Sequence, residues 1–459
     1  MSKRERSLYV CQECGQTEAK WLGRCPGCGG WNTLVEEVAA KVSSRKGRGL
    51  AHSAAPQPLK EVVADSSGQR IPTTLREADR VLGGGLVPGS LVLLAGEPGI
   101  GKSTILMQIL MGLSVQGKKV LYVSGEESLE QIRLRAERLG PIPESLFVAS
   151  ETDVEAVVDM AGHYSPDVLA VDSVQTLYHG DIASAPGSVA QVREGAARLM
   201  GVGKSAGLPI VLVGHVTKEG ALAGPRVLEH LVDAVLYLEG DRTHSFRLLR
   251  TVKNRFGPTH EVGVFEMTSS GLKEIENPSE LFMSQSSSGL PGSVTVPCIE
   301  GTRPILVEVQ ALVSPSYLGT PRRTATGFDS NRLALLIAVC ERYLNASFYN
   351  KDIFLNVAGG MRLSEPAADL GVVAALYSSL RKVAIPSDCA IFGEVGLTGE
   401  IRPVGRTKLR LEEARRLGFK QCILPAANIE KEGLPNKYQK ELKPITKLLQ
   451  LDDILFKKF

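Results

Sequence analysis

Long apolar runs, an export leader, a surplus of one charge and aromatic side chains are all missing or scarce in this chain of 459 residues. Each shortage excludes something. No apolar run approaches the roughly 20 residues of a membrane span, so no membrane partner is expected. The first residues, Met1-Ser2-Lys3-Arg4-Glu5-Arg6, are charged, and no apolar stretch follows them. A cytoplasmic protein is therefore expected. The 53 Lys and Arg nearly balance the 50 Asp and Glu, so overall charge does not announce nucleic acid. Aromatic residues make up 5% of the chain. Any contact with nucleic acid is then expected through its backbone, not through stacking on bases. The remainder, 43% apolar and 22% charged, is the composition of a soluble globular protein, and the length allows about three domains.

The most informative segment that is present runs from residue 91 to residue 104. An apolar strand, 91–95, leads into Gly96-Glu97-Pro98-Gly99-Ile100-Gly101-Lys102-Ser103-Thr104, the G-x-x-x-x-G-K-S of a phosphate-binding P-loop. The glycines let backbone N–H groups turn inward toward phosphate oxygens. Lys102 supplies a point charge for the β- and γ-phosphates, and the Ser103 hydroxyl suits Mg²⁺. A helix starting there aims its positive end at the same anion. Binding and hydrolysis of ATP, with Mg²⁺, is the expected chemistry.

A second acidic element supports this. Residues 168–172 form an apolar strand ending in Asp172, where a carboxylate would hold Mg²⁺ together with Ser103. Glu126 and Glu127 leave the strand 120–124. Glu126 is the first candidate to orient the attacking water and Glu127 the second. His215, at the end of the strand 210–214, is a candidate sensor of the γ-phosphate.

Composition shifts divide the chain. Residues 1–40 carry Cys11-x-x-Cys14 and, ten residues on, Cys25-x-x-Cys28. In a reducing compartment these four thiols read as a tetrahedral Zn²⁺ site that supplies folding energy to a segment too short to fold alone. Residues 41–68 are polar and basic, with Lys41, Arg45, Lys46 and Arg48. They read as a flexible linker, or as a basic tether beside a polyanion. Residues 69–283 alternate strands and helices, which implies a parallel sheet covered on both faces. The strands are expected at 91–95, 120–124, 168–172, 210–214 and 234–238, with an antiparallel hairpin at 246–253 and 261–267. Residues 284–459 form a further α/β domain.

Several motifs resemble known families. Arg80-Val81-Leu82-Gly83-Gly84-Gly85-Leu86-Val87-Pro88-Gly89-Ser90, running into the P-loop, resembles the RecA/DnaB/KaiC superfamily of ring- or filament-forming ATPases. Lys253-Asn254-Arg255-Phe256-Gly257 is similar to the KNRFG signature of the bacterial RadA (Sms) family. That resemblance implies a RecA-like core in a DnaB-type hexameric ring. It also implies single-stranded DNA and recombination intermediates as substrates, branch migration as the activity, and a RecA-type recombinase as partner. Lys253 and Arg255 would complete the ATP site of a neighbouring subunit. The loops 178–191 and 217–230, with Lys218 and Arg226, would line the DNA path.

Residues 392–408 resemble the proteolytic domain of Lon. Where Lon carries its serine nucleophile this chain has Ala367, in Glu365-Pro366-Ala367-Ala368-Asp369. Lys408 stands at the position of the dyad's lysine. Alanine has no nucleophilic oxygen, so the fold is expected without protease activity. Lys408, Arg410, Arg415, Arg416 and Lys420 suggest a basic helix face. An ATP-dependent protease and a KaiC-like regulatory ATPase without DNA are the competing readings.

Overall fold

The computed structural model describes residues 7–11, 16–27, 29–38, 70–182, 184–215, 225–240, 246–283, 289–317, 320–432 and 441–456. The chain divides into two compact units, Met1–Ile275 and Glu276–Phe459. The linker expected at 41–68 lies outside the described residues.

The first unit begins with a small antiparallel sheet of β1 (Ser7–Cys11), β2 (Thr17–Glu18) and β3 (Leu34–Val38), in the order β2-β1-β3. Among the described residues of this segment, Cys11, Cys25 and Leu34 form a buried cluster. The larger sheet has nine strands in the order β12-β11-β10-β9-β4-β8-β7-β5-β6. They are β4 (Leu91–Gly96), β5 (Val120–Ser124), β6 (Leu146–Ser150), β7 (Val168–Asp172), β8 (Ile210–His215), β9 (Ala234–Glu239), β10 (Phe246–Asn254), β11 (Val262–Thr268) and β12 (Gly271–Glu274). Strands β4 to β9 pair in parallel, and β10 to β12 continue antiparallel.

Central strands buried on both faces must be apolar at every position, and all six residues of β4 are buried. Val92 and Leu94 face one layer, with α1 (Arg76–Leu82), α2 (Lys102–Val115) and α3 (Leu129–Leu139). Leu91, Leu93 and Ala95 face the other, with α4 (Val154–Tyr164), α5 (Val189–Ala206) and α6 (Pro225–Leu231). Side-chain caps start the helices: Ser128 and Gln131 form a capping box on α3, Asp153 caps α4, and Ser188 caps α5. The strands read from the sequence are all present. The edge strand β6 and the terminal β12 are additional.

In the second unit, α7 (Pro278–Phe282) comes first. The division therefore falls eight residues before the boundary expected at 284. The reason is local packing: Phe282 is fully buried, and the Ser279 hydroxyl donates to Glu413 at 2.7 Å and accepts from the Leu306 N–H at 3.1 Å. A seven-stranded sheet follows, with β13 (Ser293–Glu300) and β14 (Arg303–Pro315) at its centre. Helices α8 (Ser330–Tyr343), α9 (Asp369–Arg381) and α10 (Thr407–Arg416) belong to the same unit.

Candidate active site

Strand β4 ends at Gly96 and α2 begins at Lys102, so the P-loop is the turn between them. Gly101 takes the N-cap position with φ of 114°, and a Cβ there would come within 2.6 Å of the Met267 methyl. Only glycine fits. Gly101 gives no side-chain cap, and the first turn of α2 holds no acidic residue. Its leading N–H groups, on Lys102, Ser103 and Thr104, are thus left for an external anion. Lys102 is buried, 4% exposed, and its Nζ donates to the carbonyls of Gly96 and Glu97, each at 2.9 Å. Burial lowers its pKa, while Asp172, Glu126 and Glu97 act to raise it. An uncapped helix start beside a desolvated ammonium fits the phosphates of a nucleotide.

Register brings the remaining groups to the same edge. His215 pairs with Gly96 across β8 and β4, and Asp172 pairs with Ser124 across β7 and β5. Asp172 is 5% exposed, and its Oδ2 accepts the Tyr122 hydroxyl at 2.9 Å. Glu126 Oε1 accepts the Ser173 hydroxyl at 2.6 Å and lies 3.2 Å from His215 Nε2. Glu127 turns away and pairs with Arg135 on α3. The tight turn at Gly125 is obligatory, because a Cβ there would sit 2.0 Å from Thr176 Oγ1. Among the described residues, His215 Nδ1 and Gln175 Oε1 are buried polar atoms without a hydrogen-bond partner. Ser103 lies in the first turn of α2 and Asp172 closes β7, and this all-oxygen donor pair suits Mg²⁺.

The KNRFG segment lies at the other end of the sheet. Asn254 pairs with Ala234, and Ala234 pairs with Val92 near the start of β4. Four residues of strand rise separate Val92 from Gly96, about 13 Å at ~3.3 Å per residue. Lys253 Nζ donates to the carbonyls of Glu229, at 2.5 Å, and Val232, at 2.8 Å. Burial, then the Arg255 charge, lower its pKa. Arg255 pairs with Asp233 at 3.1 Å, and the other Asp233 oxygen accepts the Leu91 N–H at 3.1 Å. Arg255 is half exposed and Asp233 is buried. Asn254 donates to the Leu82 carbonyl at 3.2 Å and accepts from the Phe256 N–H at 2.9 Å. A Cβ on Gly257 would crowd that Asn254 amide at 3.0 Å.

Of the two expected DNA loops, Lys218 lies outside the described residues. Arg226 falls in the first turn of α6. The loop at 178–191 is tied down by the buried Gln191: its amide donates to the carbonyls of His179, Ile182 and Ser184, and its oxygen accepts from the His179 N–H.

Cys11 and Cys25 lie buried in one small cluster, as metal-binding thiols would. Cys14 and Cys28 lie outside the described residues. In the second unit Ala367 is 1% exposed, in a short turn preceding α9. Lys408 is exposed near Glu412 on α10. The basic helix face needs correction: Arg410 points inward, 1% exposed, pairing with Glu365 and donating to the carbonyls of Pro297, at 2.7 Å, and Gly405, at 3.1 Å. Arg415 and Arg416 pair with Glu441 and Glu413. That surface is largely neutralised.

Sequence reasoning missed Tyr122, Ser173, Gln175, Arg135 and Asp233. Two signals were available. Tyr122 is a polar-tipped aromatic in a fully buried strand, and such a hydroxyl needs a partner. Arg135 shares helical spacing with the buried Ile132 and Ala136.

Comparison with known proteins agrees with this geometry. Residues 55–221 match the model of an AAA domain, 334–459 that of the Lon protease (S16) C-terminal proteolytic domain, and 9–36 that of a rubredoxin metal binding domain. The chain is 53% identical over 430 residues to the DNA repair protein RadA of Bacillus subtilis, covering 93% of each chain. It is 50% identical over 458 residues to RadA of Pseudomonas aeruginosa, covering 99% of this chain and 100% of the relative. It is 49% identical over 434 residues to RadA of Brucella abortus, covering 92% of each.

Proposed function

The chain belongs to the RadA family of DNA repair proteins, and from that premise we propose that it is a DNA-dependent ATPase and DnaB-type helicase. It binds single-stranded DNA and uses ATP hydrolysis to drive branch migration of recombination intermediates in repair. The observation that carries the catalytic half is the convergence of Lys102, Asp172 and Glu126 on one sheet edge.

The roles follow from that placement. N–H groups of Gly99, Gly101 and the first turn of α2 cradle the phosphates. Lys102 leaves its two loop carbonyls for the β- and γ-phosphates. Ser103 and Asp172 hold Mg²⁺, which neutralises phosphate charge when bound. Glu126 has one oxygen taken by Ser173 and His215 and orients the attacking water with the other. His215 reports phosphate occupancy to the loop beyond it.

Lys253 and Arg255 sit at the far edge from their own P-loop, so any part they play in hydrolysis is played for a neighbouring copy. This favours a homo-oligomer, read as a hexameric ring. Arg255 is the better placed of the two, since half of its side chain is open while it pairs with Asp233. Lys218 and Arg226 contact DNA phosphates, Cys11, Cys14, Cys25 and Cys28 hold structural Zn²⁺, and a RecA-type recombinase is the partner. The domains are proposed as zinc module, linker, RecA-like ATPase and Lon-like domain, the last without peptidase activity because of Ala367.

The test pairs ATPase rates with and without single-stranded DNA with strand displacement on a three-stranded intermediate. Stimulated turnover and junction extension are expected. Turnover indifferent to DNA, with no extension, would overturn the motor and leave a regulatory ATPase.

A further inference from the structure

Behind Asp172 stands a buried chain of polar groups that the catalytic reading leaves unused. Tyr122 is fully buried in β5, one strand over from β7. Its hydroxyl reaches Asp172 Oδ2 at 2.9 Å. On its other side the Arg135 guanidinium lies 3.5 Å from the Tyr122 hydroxyl oxygen, with Cζ 6.0 Å from the ring centroid. Arg135, 9% exposed, is held in turn by Glu127.

The direction of these bonds is fixed by chemistry. Guanidinium has donors and no acceptor, so the Tyr122 oxygen can only accept from Arg135 and must spend its one proton on Asp172. A carboxylate whose Oδ2 is engaged from behind presents Oδ1 in one orientation. Outer partners of this kind fix the ligands of metal sites and commonly contribute tenfold or more to affinity.

We propose that Tyr122, backed by Arg135 and Glu127, is a positioning residue that aims Asp172 at the Mg²⁺ accompanying the nucleotide. Glu127, the second candidate base, then has a different function: it anchors Arg135. This inference rests on the proposed ATP site, and the experiment separates the two.

Tyr122→Phe keeps the ring and removes the donor. Binding of a fluorescent ATP analogue to the full-length protein is titrated with and without Mg²⁺. In the wild type, Mg²⁺ is expected to strengthen binding; if nucleotide does not bind at all, the ATP-site reading itself fails and this inference with it. In Tyr122→Phe, the Mg²⁺ concentration giving half of that enhancement should rise about tenfold, while Mg²⁺-free affinity and melting temperature change little. An unchanged Mg²⁺ titration in a folded variant would overturn the proposal and leave Tyr122 as packing. Arg135→Lys keeps a cation for Glu127 but shortens the reach to the phenol. It should shift the same midpoint about threefold, and it decides the matter if Tyr122→Phe does not fold.

Discussion

Lys102 and Arg410 are both buried cations, one in each unit, and they are held in opposite ways. Lys102 bonds to two loop carbonyls, and the carboxylates of Asp172 and Glu126 influence its charge without bonding it. Arg410 is held by a carboxylate: Glu365 takes it in a two-point pairing, and two further carbonyls accept from it, which places four of its five N–H protons. A buried charge held only by a loop's own carbonyls is poised to exchange partners, whereas a fully paired one is part of the scaffold. In the second unit a buried carboxylate, Asp369, is likewise paired, with Arg332. The buried cation beside the phosphate loop keeps exchangeable partners, and the buried cation of the second unit is fixed by a carboxylate.

Substitution can break that contrast. The largest effect is expected for Lys102→Ala, which should lower ATP turnover about a thousandfold with the fold retained; wild-type turnover would remove Lys102 from the site. Arg410→Ala should do the reverse. It leaves Glu365 without its partner at a largely buried position and should cost about 3–5 kcal/mol of stability, with turnover per folded molecule unchanged. Thermal denaturation followed beside ATPase rates checks both halves. Ser173→Ala removes one of the two groups on Glu126 Oε1 and should reduce turnover about tenfold with the ATP concentration dependence unchanged. A rise in the ATP requirement instead would place Ser173 in binding.

The smallest effect concerns Glu400. The Thr398 hydroxyl, ahead of Arg402, holds its carboxyl down to about 2, against an ordinary value of 4.5. A depressed carboxylate adds stability that is complete above its unfolded value and lost as pH falls through the folded one. Thr398→Val should therefore raise the Glu400 titration, followed by NMR, remove a slight stability gain that is complete above about pH 5, and flatten its loss between about pH 5 and 2. An unmoved titration would mean that Arg402 alone sets it.

The sequence made some of this plain and hid the rest for physical reasons. Strands such as Val168–Asp172 were legible because burial on both faces demands an unbroken apolar run. Leu146–Ser150, at the edge and half exposed, carries no such demand. The P-loop and Asp172 were legible because their chemistry is local in sequence. Arg410 was misread because charge suggested surface, although it shares helical spacing with the buried Thr407, Leu411 and Ala414. Its partner Glu365 is 45 residues away, a distance no local pattern spans. Lys253 and Arg255 could be recognised, but their position opposite the P-loop follows only from how β10 pairs with β9.

Asp233 has a mechanical consequence. One of its oxygens grips Arg255, and the other moors the first residue of β4, whose last residue opens the phosphate loop. A load placed on Arg255 is delivered to one end of a six-residue tether. Strands β8 and β9 brace that tether along both flanks, so it cannot stretch or slip alone. Whatever pulls at the far rim must shift three strands together or leave the phosphate loop where it stands.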